Sequence, residues 1–409
     1  MESVISAILC GNSAGGFAER FCGASGVVGI AGKHGFGEYR IDSIKSIRLS
    51  YQVMEPQASA TSLRPTLAAV ARRAGVSPST ASLAFSGAGP VSDLTKAKVL
   101  AAAAELDYAG PDPRAQSLRL GRSGIIGVIM EDRLRDAFRD PMNIAMLDGI
   151  ADELGLLGSG LLLLTNTGEG PGSLYSAPVD AVVLIGCSTR LTESVNVFRQ
   201  RGIPMVAIEA ERMEGVLPVD LDNREASRAL AEHLRDLGHE RVAMVTLPLE
   251  ISHDRGALTP QRESASEGFT ATSRIRGVRD VFPDADGLVA AGSFIEEGEL
   301  AARELLRDAN HRPTAMIAQS DLLAVGVIRA AEELGYSVPG DLSVVGFDGI
   351  RLDSITTHDL STMVQPAVEK GRATGRGILA LLAGESPEPI AFTSDFHRGA
   401  TTAPPPRLP

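Results

Sequence analysis

From Ile125 onward, short continuous apolar runs alternate with amphipathic stretches, and that alternation leaves few folds open. The runs "GIIGVIM" (124–130), "SGLLLLT" (159–165), "DAVVLIG" (180–186), "IPMVAIE" (203–209), "RVAMVTL" (241–247), "TAMIAQS" (314–320) and "LSVVGFD" (342–348) are strand-sized. A strand with no polar residue at alternate positions suits a parallel sheet covered on both faces. Between the runs lie helix patterns such as "REASRALAEHLRDLG" (224–238), "EEGELAARELLRD" (296–308) and "LLAVGVIRAAEELG" (322–335). Together they predict a doubly wound α/β body. No run approaches the ~18 residues that would cross a membrane.

Residues 66–108 follow a different rule. Leu67, Val70, Ala71 and Ala74 recur at helical spacing, with Thr66 as cap and Gly75 as terminator. Ser77 caps a second helix with Pro78 at its first position, where no N–H is needed. Ser92 caps a third, whose Leu94, Val99, Leu100, Ala103 and Leu106 are expected to face inward. Two helices joined by a tight glycine-containing turn make a helix-turn-helix, whose second helix enters the DNA major groove. A plain helical bundle with hydroxyls at its caps fits the same composition. Next, "GPDPRAQSLRLGRSG" (110–124) predicts a two-turn helix with almost no apolar face, unstable alone.

Charge separates the same regions. The net charge is −12, yet residues 64–124 carry eight Lys/Arg against four Asp/Glu, while residues 125–409 carry 26 against 42. A basic module on an acidic body points to an anionic partner for the module alone. Three scattered cysteines (Cys10, Cys22, Cys187) without a CxxC pair argue against a disulfide framework or zinc site and suit a reducing cytoplasm. There is no GxSxG elbow, HExxH or P-loop, so no catalytic residue, metal or cofactor is assigned. His239 in "LGHERV" reads as a residue that orients a loop.

Residues 1–63 are Gly- and Ser-rich without a sustained period, and "MESVISAILCG" lacks a basic start. Met54 stands ten residues before the first patterned segment. Residues 1–63 therefore read as a disordered extension, or residues 1–53 as lying upstream of the true start.

The stretch "PTLAAVARRAGVSPSTASLAFSGAGPVSDLTKAKVLAAAAELDYAGPDPRAQSLRLGRSGIIGVIM" closely resembles the LacI/GalR family of bacterial transcription regulators. "VDLDNREASRALAEHLRDLGHERVAMV", "AQSDLLAVGVIRAAEELGYSVPGDLSVVGFDGI" and "LSTMVQP" extend the resemblance through most of residues 65–402. It implies a small all-α helix-turn-helix head (64–110) and a hinge helix and linker (111–124). These join a two-lobed α/β body (125–409), like periplasmic sugar-binding proteins. Lobe one is expected over about 125–221 and 366–388, lobe two over about 222–365 and 389–402, and a disordered tail over 403–409. The implied protein is a cytoplasmic homodimer or higher oligomer that binds a pseudo-palindromic double-stranded DNA operator under control of a small-molecule effector. A solute-binding protein sharing the body is the alternative.

The resemblance also implies roles. Ser77 lies at the start of the recognition helix, Pro78, Ser79 and Leu83 face base edges, and Thr80, Ser82 and Ser92 meet phosphates. Leu83 replaces a residue that is often basic; it cannot bond guanine but can touch a thymine methyl. Leu118 stands where a leucine wedges into the minor groove, with Arg114 and Arg119 beside the backbone. In the body, Glu209 and Asp348 end strands, Phe294 stacks on ligand, and Asp140, Ser320, Asp321 and Gln365 line the cleft. The usual arginine is Ala265 here, and Arg262 is the candidate substitute.

Overall fold

The computed structural model describes residues 30–32, 35–37, 65–87, 89–110, 121–130, 137–155, 158–165, 173–186, 190–308 and 311–406. The chain forms two compact units, residues 1–109 and 110–409. In the segment expected to be disordered, β1 (Ile30–Gly32) and β2 (Gly35–Gly37) pair antiparallel as a short hairpin.

The head is three helices: α1 (Leu67–Ala74), α2 (Pro78–Ser86) and α3 (Asp93–Glu105). Side-chain oxygens of Thr66, Ser77 and Ser92 accept from backbone N–H groups of Ala69, Thr80 and Thr95, satisfying donors that a helix start leaves orphaned. Gly75, at φ 68°, ends α1 in the left-handed conformation that glycine adopts without penalty. Val70, Ala71, Ala81, Ala84, Val99, Ala102 and Ala103 form the core, closed by Leu67, Phe85, Leu106 and Tyr108. Leu94 and Leu100 are exposed, against expectation. On a 100° wheel neither falls on the Val99–Ala102–Ala103–Leu106 stripe.

All seven apolar runs are strands. The body runs β3 (Ile125–Met130), α4 (Pro141–Gly155), β4 (Gly160–Thr165), α5 (Ser173–Ser176), β5 (Ala181–Ile185), α6 (Arg190–Gln200), β6 (Met205–Ile208) and β7 (Val216–Leu221). It then crosses into a second lobe: α7 (Asn223–Asp236), β8 (Val242–Thr246), β9 (Gly256–Ala257), α8 (Pro260–Ser264), α9 (Phe269–Arg279), β10 (Asp286–Val289), α10 (Ile295–Leu305), β11 (Ala315–Ala318), α11 (Asp321–Glu333), β12 (Ser343–Asp348) and β13 (Ser361–Val364). The chain returns through α12 (Ala367–Leu382) and β14 (Ile390–Phe392), then crosses once more to β15 (Asp395–His397).

Lobe one holds a parallel six-stranded sheet, β14-β7-β6-β5-β3-β4; lobe two holds seven strands, β15-β13-β12-β11-β8-β10-β9, with antiparallel edges. Three expectations need correction. β4 is an edge strand and only partly buried, because among the described residues it pairs with β3 alone. Ile390–Phe392 pairs with β7 in lobe one, so the last crossing lies after Phe392. The tail is anchored at least through Ala403: its carbonyl accepts from His239 Nε2 (2.9 Å) and Ser343 Oγ (3.0 Å), and Thr401 is fully buried. His239, also bonded to Thr314 Oγ1, thus fastens the C-terminal segment.

Candidate functional site

In the head, Ser77 begins α2 and organises its first turn. Its Oγ lies 2.9 Å from Ser79 Oγ and 2.8 Å from Thr80 Oγ1 while accepting from Thr80 N. Ala81 and Ala84 bury one side of α2, which leaves Pro78, Ser79 and Leu83 exposed on the other with Ser82 partly so. Ser92 is the cap of α3, its Oγ 2.9 Å from Thr95 Oγ1. Helix starts with hydroxyls suit phosphate oxygens. The expected hinge residues Arg114, Leu118 and Arg119 lie outside the described residues.

In the body, Glu209 follows β6 of lobe one and Asp348 ends β12 of lobe two. Both have positive φ, 51° and 121°. Non-glycine residues held there cost about 1–3 kcal/mol, a strain that tends to collect at functional sites. Both sit at the carboxyl ends of parallel strands, where open α/β sheets bind ligands.

A closed ring of polar side chains joins them. Lys370, fully buried on α12, donates to Glu209 Oε1 and to Gln365 Oε1. Gln365 Nε2 donates to Asp348 Oδ1 at 2.7 Å. Asn223 Nδ2 donates to Glu209 Oε2 at 2.7 Å, and Arg274 Nε donates to Asn223 Oδ1 at 2.8 Å. Arg274 closes the ring: its Nη1 lies 3.7 Å from Asp348 Oδ1, its charge rests 3.6 Å above the Phe347 ring, and it also donates to the Gln319 carbonyl. Asn223 and Gln365 stand on two of the three crossings. Asp222 ties the first crossing to the third by accepting from Ser394 N and Oγ. The ring therefore reaches both lobes through their connections.

The two carboxyls titrate in opposite directions. Burial alone pushes Glu209 up, but Lys370, Arg274 and the Asn223 bond outweigh it and hold the carboxylate below its ordinary value. Burial pushes Asp348 well above its own, opposed by Arg274 and reinforced by Asp321 and Asp140. At 3.7 Å, Arg274 attracts Asp348 by charge without a hydrogen bond to it.

The other expected residues divide. Asp140 precedes α4 and accepts from Met142 N at 2.9 Å. Phe294 caps α10, its ring 4.7 Å from the Arg139 guanidinium; Arg139 also donates to Glu296 Oε1 at 3.1 Å, linking the two lobes. Ser320 caps α11 and accepts from Ser293 Oγ at 2.9 Å. Asp321 is buried beneath the site, where it accepts from Thr362 Oγ1 and Ile350 N and holds the loop after β12; burial pushes it up to about 7. Arg262, the candidate substitute for the absent arginine, is held within its own lobe. Its guanidinium is bound to Glu250 and the Asp254 carbonyl within lobe two, and Arg274 supplies the charge beside Asp348. A cavity of about 880 Å³ opens next to the ring, with Asp348 and Gln365 among walls that include Phe138, Met142 and Ile350.

Arg274, Lys370 and Asn223 are absent from the expected set. A signal for two of them existed: Arg274 lies on the stripe of Ala271, Ile275 and Val278, and Lys370 on that of Ala367, Gly371, Thr374 and Ile378. A cation on a buried stripe needs a buried partner.

Residues 66–110 match the lacI family of bacterial regulatory proteins, and residues 231–394 match the periplasmic binding protein-like domain. The HTH-type transcriptional regulator IpsA of Corynebacterium glutamicum is 31% identical over 359 residues, covering 83% of this chain and 98% of that protein. The ribose operon repressor of Escherichia coli is 31% identical over 313 residues, covering 75% and 89%. Among solved structures, a LacI-family transcriptional regulator from Corynebacterium glutamicum superposes with a TM-score of 0.62 at 27% identity, over 82% of this chain and 98% of its own. The lac repressor dimer bound to operator and the anti-inducer ONPF shares the fold, with a TM-score of 0.67 at 22% identity over 83% and 99%. The relatives are transcriptional regulators, and this chain belongs to the same lacI family: a helix-turn-helix DNA-binding transcriptional regulator with a periplasmic-binding-protein-like effector domain.

Proposed function

We propose that the chain is a cytoplasmic repressor that acts as a homodimer. Its two heads read the half-sites of a pseudo-palindromic operator, and a sugar or nucleoside in the cleft sets their hold on DNA. The observation that carries the small-molecule part is the pair Glu209 and Asp348. They come from different lobes, sit at strand ends in strained backbone, and are pushed in opposite directions from the ordinary carboxyl value. Two carboxyls brought together from two lobes, with Asp348 in the wall of the cavity, suit the hydroxyls of a polyhydroxylated ligand. Similar bodies have been solved with cellobiose and with ribose. Phe294, Asp140 and Ser320 are assigned to the effector on resemblance. Leu118, with Arg114 and Arg119, is assigned to the hinge on resemblance. An effector acts here only through unequal affinity for two lobe arrangements. The ring reaches the crossings that such a change must bend.

The test is a thermal-shift screen of the full chain against monosaccharides, disaccharides and nucleosides, followed by fluorescence anisotropy on duplexes selected from a random pool. A ligand that stabilises the chain should also change its DNA affinity. A ligand that stabilises it with no change in DNA affinity would overturn the effector reading and favour simple solute binding.

A further inference from the structure

We propose that Leu83 is the principal base reader of α2, and that it recognises the 5-methyl group of a thymine in each half-site. This rests on the DNA-binding reading of the head. No side chain of Pro78–Ser86 carries a charge or an amide, so none can form the paired hydrogen bonds that distinguish guanine or adenine. The hydroxyls at the helix start are turned toward one another: Ser77, Ser79 and Thr80 lie within 2.9 Å in a chain centred on Ser77 Oγ. What remains on the exposed face is one large apolar side chain, Leu83, 37% accessible.

A lone exposed leucine is ordinary on a surface. This one has a seat. A Cβ built on Gly89 would lie 3.0 Å from Leu83 Cδ2, so the leucine packs onto the glycine in the connection from α2 to α3. Gly89 is not in the left-handed region, so its backbone does not require glycine. The room it leaves is filled by Leu83, which holds the side chain in place before DNA arrives. Thymine is the base that offers an apolar group in the major groove.

The test uses the full chain and a duplex selected by it from a random pool. Each thymine is replaced in turn by deoxyuridine, which removes only the methyl group, and affinity is read by fluorescence anisotropy at one salt concentration. One methyl-sized contact corresponds to about a fourfold loss per half-site and about fifteenfold with both half-sites changed. Leu83→Ala should no longer distinguish thymine from deoxyuridine at that position. Gly89→Ala, which adds one carbon against Leu83, should shrink the ratio. If deoxyuridine is neutral at every position, or if Leu83→Ala keeps the wild-type ratio, the proposal is overturned. An unchanged ratio in Gly89→Ala overturns the seating argument. Failure of the pool to enrich at all would overturn the DNA-binding reading itself, a separate result.

Discussion

Replacing Lys370 by Met tests the ring at its most buried point. The side chain has no solvent exposure, and its ammonium meets Glu209 and Gln365. Methionine fills similar space without charge, so the change isolates electrostatics from packing. Removing one member of a buried ion pair costs about 3–5 kcal/mol, because the other charge is left without its partner. The lower end is expected here, since Glu209 still accepts from Asn223 and has Arg274 Nη2 at 4.0 Å. The pH dependence identifies the cause. In the wild type the folded-state value of Glu209 is depressed, so its contribution is present above the unfolded value, near about 4.3, and is lost as pH falls through the folded value. Without Lys370 the balance tips toward burial, and the folded value rises above the unfolded one. The variant then binds more protons folded than unfolded, and its stability falls as pH rises. The difference between the two proteins should therefore be largest near neutral pH and shrink toward pH 4. The assay is guanidinium unfolding followed by far-UV circular dichroism, since the chain has no tryptophan. Adding Glu209→Gln to Lys370→Met should recover part of the loss. A penalty below about 1 kcal/mol at pH 7, or one independent of pH, would refute the argument.

Three further outcomes are expected. Asp348→Asn mimics the protonated carboxyl; because the folded-state value is raised, wild-type stability carries a component that falls as pH rises above about 4, and the variant should lack it, which equal pH slopes in parallel unfolding series would disprove. Ser77→Ala removes the cap that accepts from Thr80 N, and should destabilise the head by about 1 kcal/mol in a melt that monitors it. DNA affinity should fall steeply between 50 mM and 200 mM salt as phosphate contacts release counterions; a flat log–log plot from anisotropy titrations would contradict a phosphate-bound head.

The sequence by itself determined the class of the fold and most of its elements. Seven apolar runs too short for a membrane and lacking alternation point to strands, six of them well covered and β4 an exception at the sheet edge, and the caps at Thr66, Ser77 and Ser92 announce helices through local chemistry. Elements made by pairing were less legible. β7 contains Pro218, which argues against an inner strand, yet it lies between β6 and β14; β14 and β15 are three residues each. Their strand character comes from a neighbouring ladder, and so does the position of the last crossing. The inward-facing set of α3 differs from expectation for a related reason: Leu94 and Leu100 are apolar, but only the packing of α1 and α2 selects the stripe that is covered. The site divides the same way. Glu209 and Asp348 were visible because a carboxylate just past a buried strand is conspicuous in one dimension. Of their partners, Arg274 and Lys370 show in sequence only as cations on buried stripes, without their mates, and Asn223 gives no signal. Lys370 meets Glu209 across 161 positions of sequence, and no local pattern encodes such a pairing. Charge can be buried at those points only because the fold brings compensating groups from both lobes and two crossings to one place, where each removes the cost of desolvating the next.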